Sequence, residues 1–556
     1  MLPKFISALL LLVYLFGFSN YGISYSLVNA DSVNPKDFIR ASGTQLVVGN
    51  DDHPIVLQGV CFGNQVWSNP KQPVLYHHNE TDFNSVRNLR MNVIRFYLNY
   101  GLFEDDTRPF QYKKSGWDWL DRNIAWAKRN NVYLILNMHY PQGGYQSNGA
   151  GAALWDDPRN QRRLIALWKA IAKHCQAETI VAGYDLVNEP ITTRSIGQWQ
   201  ELAQQLVDQI RTVDQNHLLI VERLNAIKSN WGNDANYNFC LVNDLNVMYT
   251  FHFYSPIEYT HQLTGWTGFG NQDGGTYPDE SKYAFPTDLT WANATLSNPI
   301  APAGKFNWTF FNGEHTPFQV TDPKIRCAKP AFQSSKNTGT IYFANFTVKE
   351  FDASGNFVRY VYQDEAFNDW NGYFWSRNNS GTVRFVPGTG VNERNSIAIS
   401  RTGDDANYSL NNLRFPVKTG YYYSISGWMK GVDVSADSQC RLRLDFEVSP
   451  SGGSVFRRDK EYLANELQHY IDWGAAHRVP LFVGEFGAYY VCFQNNKGGL
   501  QWISDLLDLY KANCLSYTYH AYHESGFGLY RNDIGLPDPA NVNQPLLDLF
   551  QNKLAN

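Results

Sequence analysis

The stretch Ile180–Pro190, IVAGYDLVNEP, decides how this chain of 556 residues is read. Up to Val187 it is almost continuously apolar, the pattern of a strand covered on both faces, as in a parallel sheet. It then ends in an amide, a carboxylate and a proline. A carboxylate at the end of a buried strand is costly unless something pairs with it or uses it. Pro190, lacking an N–H, helps the chain turn away. Asn188 and Glu189 are thus delivered to one end of a sheet, and the question is what else arrives there.

Outward from this strand, β-branched runs alternate with amphipathic helical stretches, as expected for strand-helix units around a parallel sheet. Strands are predicted at Ile55–Cys61, Asn92–Tyr97, Val132–Met138, Ile180–Val187, Leu218–Glu222 and Val247–Phe253, with helices over Trp117–Asn130, Asn160–Cys175 and Gln198–Val213. From about Gly265 the helical period vanishes, and alternating segments such as Gly339–Glu350, Asn356–Tyr362, Tyr421–Met429 and Arg441–Val448 signal antiparallel strands. Helical patterning returns at Asp459–Ala476. A strand at Pro480–Gly484, a helix at Gly499–Ala512, a strand at Ser516–Tyr522 and a last helix near Pro545–Leu554 supply units seven and eight.

The expected fold is therefore α/β: a (β/α)8 TIM barrel with a β-sandwich of jelly-roll type inserted after strand 6. Its parts are a barrel segment 31–265 with strands 1–6, the insert 266–456, and a second barrel segment 457–556 with strands 7 and 8. A folded guest in a loop is tolerated because loop-closure entropy rises slowly with length. Residues 1–30, with one Lys, an apolar run from Phe5 to Phe18 and a small-residue exit at Val28-Asn29-Ala30, read as a signal peptide. The expected location is extracellular or periplasmic, the mature chain soluble, monomeric and free of membrane. A formal charge of -5 argues against nucleic acid as a partner. Seven cysteines without CxxC pairing imply no metal site and leave at least one thiol unpaired.

In such barrels, functional groups stand at the C-terminal ends of the strands. Arg95 in NVIRFY, His139 in LNMHY, Asn188 and Glu189, and Glu485 in VGEFGAY all do. His252 and Tyr254, two apart in YTFHFYSP, share one side of strand 6. Two carboxylates across one barrel mouth suit glycoside hydrolysis, in which one acid protonates the leaving oxygen and one carboxylate meets the developing oxocarbenium ion. The environment must then split their pKa values, and Arg95 with the Tyr254 phenol can keep Glu485 ionised. The Asn188 amide can hold a sugar 2-hydroxyl. No GxSxG, P-loop, HExxH or dinucleotide fingerprint is present, and no cofactor is expected.

Arg95, His139, Asn188-Glu189-Pro190, His252-x-Tyr254 and Glu485 in GEFG, in this order, resemble glycoside hydrolase family 5, the cellulase and mannanase family of barrel enzymes. The resemblance covers roughly 45–265 and 457–550. It implies a retaining endo-acting β-glycanase, with a β-linked polysaccharide or oligosaccharide as substrate, Glu189 as general acid/base and Glu485 as nucleophile. The family usually ends strand 8 in a Trp that floors the cleaved sugar; here SYTYHAYHESGFGLY offers His520 nearest that position. Trp67, Trp155 and Trp266, following strands 1, 3 and 6, are candidate sugar platforms. Within the insert, SIAIS, FPVKTGYYYSISGWMKG and LRLDFEV resemble jelly-roll carbohydrate-binding modules. Glu222, ending strand 5, is read as an ion-pair partner. The expected activity is that of a β-1,4-glucanase; the rivals are a glycan-binding protein with little turnover, motivated by His520, and a glycosidase for β-mannan or host glycans and glycolipids.

Overall fold

The computed structural model describes residues 34–555 except 75, 229–237, 296–297, 368–371, 380, 401–402 and 533. The expected signal peptide, 1–30, lies outside the described residues. The chain divides into two compact units, one of Met1–Tyr254, His469–Tyr490 and Leu507–Asn556, the other of Ser255–Gln468 and Val491–Leu506.

In the first unit, β1 (Gln58–Phe62), β2 (Val93–Asn99), β3 (Tyr133–Tyr140), β4 (Val181–Asp185), β5 (Leu218–Glu222), β6 (Val247–Phe253), β7 (Leu481–Phe486) and β8 (Ser516–Tyr519) pair in parallel and close into a barrel. β2 and β6 are buried at every position, which is why their sequences read as continuous rather than alternating apolar runs. Between strands lie α1 (Glu80–Asn88), α2 (Lys114–Asn130), α3 (Pro158–Cys175) and α4 (Ile196–Arg211). Asp157 caps α3 and Pro158 opens it, while Leu164, Leu167, Trp168, Ile171 and Cys175 form its buried stripe.

Two indoles tie helices to the strand ends. Trp168 Nε1 donates to Leu186 O at 2.9 Å and Trp199 Nε1 to Glu222 O at 2.7 Å. The backbone that carries Asn188, Glu189 and Glu222 is thereby fixed from outside the barrel.

Two boundaries differ from expectation. Ile55 pairs with Leu46 in a small antiparallel sheet of Arg40–Ser42, Gln45–Val48 and His53–Ile55, and the barrel strand starts only at Gln58. Ile39 and Leu46 pack there with Leu57, Val93, Ile135, Ala182, Leu218 and Phe482, plugging the N-terminal end of the barrel. β4 stops at Asp185, although Leu186 N–H still donates to Ile220 O and Asn188 N–H to Met138 O, each at 3.1 Å.

The second unit contains two antiparallel sheets whose strands lie, in chain order, between β6 and β7. One is built on Thr290–Thr295, Arg441–Val448, Ile325–Ser334, Ala406–Ser409 and Tyr373–Ser376, the other on Gly304–Phe311, Tyr422–Val434, Thr340–Phe351, Ser396–Ser400 and Thr382–Val386. Phe332, Phe343, Phe346, Ile397, Ile425 and Leu444 belong to one shared core, so the sheets pack face to face. Asp279–Ala284, on entry, pairs with Phe456–Arg458, on exit, which holds the ends together. This unit is wider than the predicted 266–456. Tyr277 donates to Asp505 Oδ2 at 2.9 Å, and Trp502 Nε1 to Ser255 O at 3.0 Å, binding 255–289 to 491–506.

Candidate active site

The site is built at the C-terminal ends of the barrel strands. From β2, the buried Arg95 guanidinium reaches four partners: Nε donates to Asp185 Oδ2 at 2.8 Å, Nη1 to Glu485 Oε1 at 2.7 Å and to Tyr97 OH at 3.3 Å, and Nη2 to Asn188 Oδ1 at 2.9 Å. Two positions on, and so on the same side of the strand, Tyr97 donates to Glu485 Oε1 at 2.6 Å. Tyr254 donates to Glu485 Oε2 at 2.9 Å. Both oxygens of Glu485 are thus committed to donors. Burial opposes its charge, but His252, His520, Arg95 and His139 outweigh that and hold this carboxyl well below the ordinary carboxylate range.

Glu189 has no such ring of donors. Its Oε1 hydrogen-bonds His252 Nδ1 at 2.9 Å, and that nitrogen is also 3.5 Å from Glu485 Oε2. One oxygen of each carboxylate and one nitrogen of His252 lie within 4.8 Å of one another. The pairing of β6 with β7 shifts register between Phe251 and His252, opposite Glu485. Such irregularities re-aim side chains beside sites. Glu189 itself has φ +44°, the left-handed region that a non-glycine residue rarely adopts. Burial lowers the proton affinity of His252, yet Glu222, Glu485 and Glu189 together raise its pKa to about 9.

His139 stacks on the Tyr97 ring with centroids 3.8 Å apart and shares a hydrogen bond with Asn137 Oδ1 at 2.9 Å. Burial pushes its pKa well below the ordinary imidazole value. The Asn188 Nδ2 donates to Ser147 Oγ at 3.2 Å. His520 lies 3.0 Å from Tyr97 OH and 3.2 Å from Glu524 Oε2. Burial disfavours its charge, but Glu524 and Glu485 raise its pKa well above the usual value. The end of β8 therefore presents an imidazole held between a phenol and a carboxylate.

The three tryptophans part company. Trp155 is a correction: it is 2% exposed, donates from Nε1 to Gln146 Oε1 at 2.8 Å and meets Trp199 edge-on, so it is core. Trp67 is exposed, at 38%, in the loop after β1 and against Gly63. Trp266 is exposed and belongs to the second unit. Reading the sequence missed Tyr97, Asp185 and Glu524, and placed Glu222 outside the site. Tyr97 had a signal in its two-residue spacing from Arg95; Asp185 had one in its charge within an apolar run.

Residues 48–299 match the family model described as cellulase, glycosyl hydrolase family 5. Endoglucanase C of Acetivibrio thermocellus is 28% identical over 188 residues, 34% of this chain and 53% of that protein. A β-xylosidase of Phanerodontia chrysosporium is 31% identical over 225 residues, 33% of this chain and 46% of that protein. The chain thus spans about half the length of these curated relatives. Among solved structures, endoglucanase Cel5A of Thermotoga maritima overlays with a TM-score of 0.46 at 14% identity, covering 89% of this chain and 96% of that one. Residues 48–299, which supply most strands of the closed eight-stranded barrel, are thus similar to the cellulase family of glycoside hydrolases, glycosyl hydrolase family 5.

Proposed function

We propose that the protein is a secreted, retaining endo-β-glycanase acting on a β-1,4-glucan by double displacement. The observation that carries the reading is the unequal surroundings of two carboxylates that approach within 4.8 Å. Glu485, held ionised by Arg95, Tyr97 and Tyr254, attacks the anomeric carbon. Glu189 gives its proton to the departing oxygen, and the C–O bond breaks. A glycosyl ester on Glu485 results. Glu189, now a carboxylate, takes a proton from the water that cleaves this ester, and the anomeric configuration is retained. A spacing near 5–5.5 Å is that of retaining enzymes; inverting ones leave roughly 6.5–9.5 Å for a water.

The inserted sandwich enters this reading as a jelly-roll module for the same polymer. On the outward side of one sheet, Phe310 pairs with Trp428, rings 5.4 Å apart, and Lys430 lies over Tyr342. Aromatic faces beside polar groups suit stacking on sugar rings. The assay is the product profile on a panel of β-linked gluco-, xylo- and manno-oligosaccharides, with the anomer of the first product read by NMR. Release from β-1,4-glucan with β product is expected. No release from any member, with the glycans still bound, would favour the rival binding protein.

A further inference from the structure

Glu222 ends β5 with 2% of its surface exposed. Its Oε2 accepts the backbone N–H of Glu189 at 2.9 Å, and its Oε1 stands 3.4 Å from His252 Nε2. The other nitrogen of that ring is the one bonded to the Glu189 carboxyl. Glu222 thus meets Glu189 twice, once at the backbone and once through an imidazole. The backbone it meets is the one with φ +44°, a conformation that persists only where neighbours hold it.

We infer that Glu222 is a positioning residue for Glu189: its carboxyl anchors the left-handed turn that presents Glu189 and orients the His252 ring that lies against the Glu189 carboxyl. The inference rests on the glycosidase reading of Glu189. It differs from an ordinary ion pair, because the contact with Arg95 Nη2, at 3.8 Å, is the longest of the three. Groups facing Glu222 and His252 are Arg95 from β2, His139 from β3, Asp185 and Glu189 from the β4 end and Glu485 from β7. Burial raises the pKa of Glu222, while His252 and Arg95 work the other way.

Two variants separate the roles. Glu222→Gln keeps an oxygen for the Glu189 N–H but removes the charge that Glu222, its pKa raised to about 8 by burial, carries beside His252 at alkaline pH; Glu222→Ala removes both. Losing a neighbouring negative charge makes His252 release its proton more readily. For Glu222→Gln, the alkaline limb of kcat/KM is therefore expected half a pH unit or more lower. The His252 ring signals, assigned by NMR with His252→Asn, are expected to titrate lower too. For Glu222→Ala, kcat is expected to fall about 10- to 100-fold, since misplacing a reacting group by about 1 Å can cost 10²-fold, with Glu222→Asp recovering part of it. Thermal unfolding checks that each variant is folded. A Glu222→Gln profile and ring titration that superimpose on those of the parent overturn the inference, as does Glu222→Ala activity within twofold of it. A parent protein inactive on every glycan defeats the glycosidase reading instead, and the ring titration then still decides whether Glu222 governs His252.

Discussion

Tyr97 donates its phenolic hydrogen to Glu485 Oε1 at 2.6 Å, on the oxygen that Arg95 also binds at 2.7 Å. The same phenol oxygen is 3.0 Å from His520 Nδ1. A hydrogen bond to a buried charge is worth about 1.5–3 kcal/mol. Tyr97→Phe is therefore expected to lower kcat/KM about 10- to 100-fold, with the acid limb of the pH profile moving up as Glu485 loses a donor. Steady-state kinetics across pH checks both; an unmoved acid limb would separate Tyr97 from the charge on Glu485.

The two carboxylates should fail differently. On the proposed double displacement, Glu485→Gln removes the attacking group and is expected to abolish turnover. Glu189→Gln is expected to lose about 10²–10⁴-fold on substrates with poor leaving groups, and far less on an aryl glycoside that departs without protonation. Equal losses on both substrates would contradict the assignment of Glu189 as the acid.

Arg95 is fully buried among Asp185, Glu485 and Asn188. Its removal leaves carboxylates buried without their cation, at about 3–5 kcal/mol. Arg95→Met is expected to lower the unfolding free energy by that amount, seen as a lower urea midpoint. A midpoint equal to that of the parent would show the carboxylates protonating instead.

Acid should weaken the first unit through buried histidines. His77 and His78 share a 2.8 Å contact between their Nδ1 atoms, and burial pushes the pKa of His78 down to about 4 and that of His77 well below normal. Below the unfolded value of 6.5 the unfolded chain binds protons that the folded chain refuses. The contribution of these two is therefore full above 6.5 and falls as pH drops toward 4, by about 1.4 kcal/mol per pH unit per histidine, whereas the raised pKa values of His252 and His520 give stability that is lost as pH rises above 6.5. Glu485 adds to this: its depressed pKa contributes stability above 4.5 that disappears as pH falls further. Unfolding free energies at intervals between pH 4 and 8 test the slope, and His78→Asn should flatten it.

Trp155→Phe, which removes the indole N–H to Gln146, is expected to cost about 1 kcal/mol of stability with KM for a glucan unchanged. A raised KM would return Trp155 to the substrate.

Alternation and strand endings made much of this chain legible in one dimension. Buried parallel strands are apolar on both faces, and a charge that ends such a run, as Glu189 and Glu485 do, stands out against it. The spacing of His252 and Tyr254 likewise follows from the two-residue period alone. What needed the folded barrel was which polar groups meet across it. Asp185 and Arg95 are 90 residues apart and Tyr97 and Glu485 388, and no local pattern links them. Trp155 follows a strand just as a sugar platform does, and only packing against Trp199 consigns it to the core. Glu222 looked like any strand-end carboxylate. Its closeness to the Glu189 N–H depends on two neighbouring strands, a left-handed residue and an imidazole between, relations that closure of the barrel creates.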